Sequence, residues 1–109
     1  MVKMIVSFVL CFALIQPAHA DCWVSYGGLS VRQFKSQSDS LSKEVQRQLD
    51  KFKNPNDPFW PKKASASVDV TGQNVAVRNY VTCLYESSSW YTASIVNVGG
   101  RDWLIVKGE

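Results

Sequence analysis

The residues that could do chemistry in this chain are three cysteines, one histidine and nine carboxylates. Cys11, His19 and both methionines fall within the first 20 residues. Cys22 and Cys83 remain beyond them as an even pair, with no CxxC or other metal-ligand spacing. In an exported chain such a pair forms a disulfide. Because the only histidine is His19, neither a Ser-His-Asp nor a Cys-His arrangement can be built from the rest. The acids, among them Asp39, Glu44, Asp50, Asp57, Asp69, Glu86 and Asp102, are scattered and lack calcium-loop spacing. Two carboxylates brought together by folding are the one hydrolytic arrangement left. The inventory points away from an enzyme, and no cofactor or metal is expected.

The N-terminus sets the compartment. Lys3 precedes an apolar run, Met4 to Ile15, broken only by Ser7; Pro17 then leads into Ala18-His19-Ala20. This reads as a secretory signal peptide over residues 1–20, cleaved near Ala20, leaving a single small domain over 21–109. The run of 12 residues is shorter than the roughly 20 a spanning helix needs. No second run follows, so no stable membrane insertion is expected. The small-x-small site favours a bacterial periplasm, with eukaryotic secretion the other possibility. The domain carries 11 basic against 9 acidic residues, a net charge of +2, too weak to argue for nucleic acid.

Cys22 to Tyr26 reads as a short strand stopped by Gly27-Gly28. Leu41, Val45, Leu49 and Phe52 recur at helical spacing and predict an amphipathic helix over about 40–53, ended by Asn54-Pro55, with Phe34, seven residues before Leu41, allowing an earlier start. Its opposite stripe, Lys43, Arg47 and Lys51, reads as a solvated face rather than a site for an anionic surface. Ala64, Ala66, Val68 and Val70 alternate as a strand. Val75–Glu86 reads as a second strand and Trp90–Val98 as a third. Gly99-Gly100 forms a hairpin into a last strand, Arg101–Lys107. The expected fold class is α+β: one helix on a four- to five-stranded antiparallel sheet, in the order β-α-β-β-β-β, with the disulfide pinning the first strand to the meander.

Four tryptophans occur beyond residue 20. Trp23 and Trp90 are expected to pack between helix and sheet. Trp60, in a loop bounded by Pro58 and Pro61, and Trp103, close to the Gly99-Gly100 turn, are divided between core and interface.

Gln73-Asn74-Val75-Ala76-Val77, followed by Asn79-Tyr80, resembles the Gln-x-Val-x-Gly hairpin of the cystatins, inhibitors of papain-like proteases, and the expected element order is also similar. The resemblance implies that Gln73 and Val75 sit on a protease-facing hairpin, with Gly27 or Gly28 and Trp103 as companion contacts. Val77 stands where that family has glycine, and no proline precedes Trp103. The leading expectation is broader: a small exported protein that occludes a protein partner, inhibitor- or immunity-like, with Trp103, Trp60, Gln73 and Val75 as binding residues. The alternative is an envelope or carbohydrate-associated module using its aromatics on sugar rings.

Overall fold

The first helix begins at a capping box. Ser30 Oγ accepts from the Gln33 N–H (3.1 Å), and the Ser30 N–H donates to Gln33 Oε1 (2.9 Å). In this computed structural model, which describes residues 22–109, α1 runs Val31–Asp50. The signal-peptide reading of residues 1–20 lies outside the described residues. Phe34, Ser38, Leu41, Val45 and Leu49 form the buried stripe. Buried Ser38 is satisfied by donating to the Phe34 carbonyl (2.8 Å). The helix therefore starts well before the expected residue 40, and the polar run Ser36–Ser40 lies mostly on its solvent side. Phe52 falls past the helix end and is exposed. Lys43, Arg47 and Lys51 are exposed, and Arg47 pairs with Glu44, as befits a solvated face.

After a short 3-10 turn at Trp60–Lys63 comes β1, Ser65–Asp69. The next element overturns an expectation: Val75–Glu86 is a helix, α2, not a strand. Asn74 Oδ1 accepts from the Ala76 N–H (2.9 Å) and caps the helix. Val77 and Val81, one turn apart, are fully buried against α1 and the sheet. Four β-branched residues in this helix are individually weak helix formers, but the packing of one apolar face outweighs that preference. The Gln73–Val77 segment is thus the start of a helix, and the hairpin implied by the cystatin resemblance is not present there.

Two further strands, β2 (Tyr91–Val98) and β3 (Arg101–Gly108), meet at Gly99-Gly100, whose φ values of 61° and 82° suit a tight hairpin. Among the described residues the sheet has three strands in the order β1-β3-β2, fewer than the four or five expected. Both outer strands pair antiparallel with β3 and so run parallel to each other, with α2 as the crossover between them. The architecture is α+β in the order α-β-α-β-β. Ala66, Ala93, Leu104 and Val106 meet the apolar stripes of both helices in one core.

Cys22–Tyr26 joins no strand of the sheet. It forms a strap across the helices. The Cys22–Cys83 disulfide ties it to α2, not to a strand as expected. Tyr26 sets its ring edge-on to Phe34 (5.3 Å), and Asn74 Nδ2 donates to the Gly27 carbonyl (2.9 Å). Asn74 therefore both caps α2 and holds the strap. Asn74→Ala should cost about 1–2 kcal/mol in urea unfolding. Asn74→Asp keeps the cap acceptor and should recover most of that loss. Equal losses for the two variants would mean that the bond to Gly27, not the cap, carries the effect.

Candidate binding face

Successive residues of a strand point to opposite sides of the sheet. On β3, Leu104 and Val106 turn into the core, so Trp103, Ile105 and Lys107 turn to the other face. Register completes that face row by row. Lys107 lies between Ser65 and Thr92, Ile105 between Ser67 and Ser94, and Trp103 between Asp69 and Val96; Arg101 pairs with Val98. Among the described residues no helix covers this side. Val96 and Val98 are exposed, while Trp103 and Ile105 are half-buried.

Val96, Val98, Trp103 and Ile105, with Ser67, line a shallow apolar depression. It adjoins a more polar one that adds Thr92, Ser94 and Lys107. The acids at this end are engaged by neighbours. Asp69 accepts from the Thr71 N–H (2.9 Å) and from Arg101 Nε, and the Thr71 hydrogen bonds followed by Arg101 hold its carboxyl below the usual range. Asp102 accepts from Asn97 Nδ2 (2.9 Å) and from an Arg78 guanidinium nitrogen (2.8 Å); the Asn97 bond, then Arg78, lowers its pKa. Lys107, exposed and without an ion pair among the described residues, is the remaining charge on the face. The arrangement can bury apolar area around a tryptophan and meet an anionic group at its rim. Among the described residues, no group of three His, Cys, Asp or Glu side chains could hold a metal.

The expected binding residues do not form one surface. Trp103 is on the open face. Trp60 is half-buried and packs against the core, and its turn docks on the end of β3, where the Gly108 N–H donates to the Ala64 carbonyl (2.9 Å). A Cβ on Gly108 would come within 1.6 Å of the Pro61 carbonyl oxygen, so only glycine permits that docking. Gln73 and Val75 stand at the start of α2, in the helix layer; Val75 borders a groove with Trp23, Asn79 and Tyr80. Trp23 and Trp90, expected in the core, are 91% and 62% exposed. Trp23 has no sheet to pack against because its segment is not a strand, and Trp90 falls one residue before β2.

Val96, Val98 and Ile105 were not singled out from the sequence. The signal for them is the unbroken run Trp103-Leu104-Ile105-Val106, which makes both faces of an antiparallel strand apolar where one solvated face would alternate. No family model, curated protein or solved structure matches the chain, so this face is interpreted on its own residues and geometry.

Proposed function

We propose that the protein is a small exported binding protein, inhibitor- or immunity-like, that occludes a protein partner with the helix-free face of its sheet. The observation that carries this reading is the apolar strip of Val96, Val98, Trp103 and Ile105 on that face, rimmed by Lys107 and the Arg101–Asp69 pair. Interfaces gain most of their energy from a few central anchors, with tryptophan enriched among them, inside a polar rim. Export is supported by the Cys22–Cys83 disulfide together with the leader-like sequence of residues 1–20. Among the described residues, no helix is long and apolar enough to cross a membrane.

The test is an affinity pull-down from a cell-envelope extract with the oxidised domain as bait, repeated with Trp103→Ala. The wild type should recover one stoichiometric protein. The variant, still folded by circular dichroism, should bind it more weakly by at least ~2 kcal/mol. A variant that unfolds makes Trp103 a structural residue and defeats the assignment. The exposure of Trp23 and Trp90 supports a second reading, a carbohydrate-associated envelope module that stacks aromatics on sugar rings. Recovery of glycan without protein would favour it.

A further inference from the structure

The central strand reveals which way the backbone of β2 points. The Asp102 carbonyl accepts from the Val70 N–H (2.9 Å), and the Asp102 N–H donates to Thr71 Oγ1 (2.7 Å). The Gly108 N–H likewise turns to that side, donating to the Ala64 carbonyl (2.9 Å). Even-numbered residues of β3 therefore direct their backbone groups toward β1 and its flanking residues, and odd-numbered ones toward β2. Thr92, Ser94, Val96 and Val98, which face those odd residues, bond inward. The Glu109 N–H, donating to the Trp90 carbonyl (3.0 Å), continues the pattern. Tyr91, Ala93, Ile95 and Asn97 must then aim both N–H and C=O away from the sheet. Among the described residues, nothing outside the strand bonds to these backbone groups.

An open edge normally carries a charge, a proline or a bulge that blocks further pairing. The eight residues of β2 contain no charge and no proline, and they pair with β3 without interruption of register. Charged residues of the sheet sit instead on β1 and β3: Asp69, Arg101, Asp102 and Lys107.

We infer that β2 is the seam of a two-fold symmetric dimer, in which it pairs antiparallel with β2 of a second copy. One register engages all four outward-facing residues: Tyr91 opposite Asn97 of the second copy, Ala93 opposite Ile95, and the reverse. That register puts Ser94 against its own counterpart on the two-fold axis. It also sets Trp90 opposite Val98 of the second copy at each end of the seam. In one copy these side chains are 62% and 63% exposed. A foreign strand could fill the same backbone bonds, but this match at both ends belongs to the chain paired with itself. The full chain's formal net charge of only +3 opposes the association little. The two open faces then lie on the same side of a continuous sheet, joined across Thr92 and Val96. This seam uses the strand's edge and does not depend on the partner proposed for its face.

The test is the mass of the oxidised domain by light scattering, from low micromolar to submillimolar concentration. The wild type should reach the mass of a dimer. Ser94→Lys should remain monomeric at every concentration, because it sets two ammonium groups together at a pair whose Cα atoms lie about 4.5 Å apart. Ser94→Asp should be monomeric for the same reason, and an equimolar mixture of the two variants should recover the dimer. A monomeric wild type, or a Ser94→Lys protein that still dimerises, would overturn the inference. Should either variant fail to fold, hydrogen exchange on the wild type decides. The Tyr91, Ala93, Ile95 and Asn97 amides should gain protection with concentration, and concentration-independent exchange rejects the seam.

Discussion

Replacing Cys22 and Cys83 together by alanine is expected to lower the free energy of unfolding by up to about 4 kcal/mol. The figure comes from the unfolded chain, where the crosslink closes a loop between residues 61 apart in sequence. That is a large share of the roughly 5–15 kcal/mol by which small domains are stable. The strap sets how much of it is observed. Besides the disulfide, the strap is held by the Asn74 bond to Gly27 and the contact of Tyr26 with Phe34. Once cut, it can leave the helices without unfolding them, and the entropy it regains offsets part of the loss. Urea unfolding of the double variant measures the sum. A change under about 1 kcal/mol would mean that the chain-entropy contribution is nearly cancelled by strap release, leaving the helix–sheet core to stand alone.

Leu104→Ala is the second large effect, about 3–5 kcal/mol. Leu104 is fully buried on the central strand, against Val68 on one side and Ile95 on the other. Shortening it leaves a cavity beneath both helices, which neighbours on three strands and two helices cannot all move to fill. The next residue supplies the control. Ile105 points to the helix-free face and is half-buried, so Ile105→Ala should cost about 1 kcal/mol, close to the transfer energy of the area it still covers. Denaturant midpoints for the two variants check the layer assignment directly. Equal costs would mean that the second face is covered as well as the first.

How much of this was legible in the sequence depends on which physical effect dominated locally. Alternation identified Ser65–Asp69 and the strands flanking Gly99-Gly100, because a two-residue period and a turn that needs positive φ have few other solutions. The pairing of Cys22 with Cys83 followed from counting. The stripe of Leu41, Val45 and Leu49 identified α1, and Phe34 pointed to a start before residue 40, but the Ser30-x-x-Gln33 capping signature that fixes that start went unused. α2 was misread because Val75, Val77 and Val81 also fit a period of two. Asn74, taken for a turn residue, is a cap, and Val77 with Val81 at a spacing of four was the discriminating pair. That error added one strand to the count, and reading Cys22–Tyr26 as a strand added another. Of the expected binding residues, Trp103 alone lies on the open face. A single tryptophan's placement depends on register, which local sequence does not fix.

The strand order has a consequence for how the chain acquires its form. β3 lies between β1 and β2 in space but follows both in sequence. Until it emerges, β1 and β2 have no strand to pair with, and their apolar residues have no completed layer to join. Only the β2–β3 hairpin can form from near neighbours; the β1–β3 ladder must close across about 30 intervening residues, a slow non-local step. Synthesis therefore delivers the central strand after both of its neighbours. Both outer strands stay unpaired until β3 has been made, and the sheet closes only when that central strand is inserted between them.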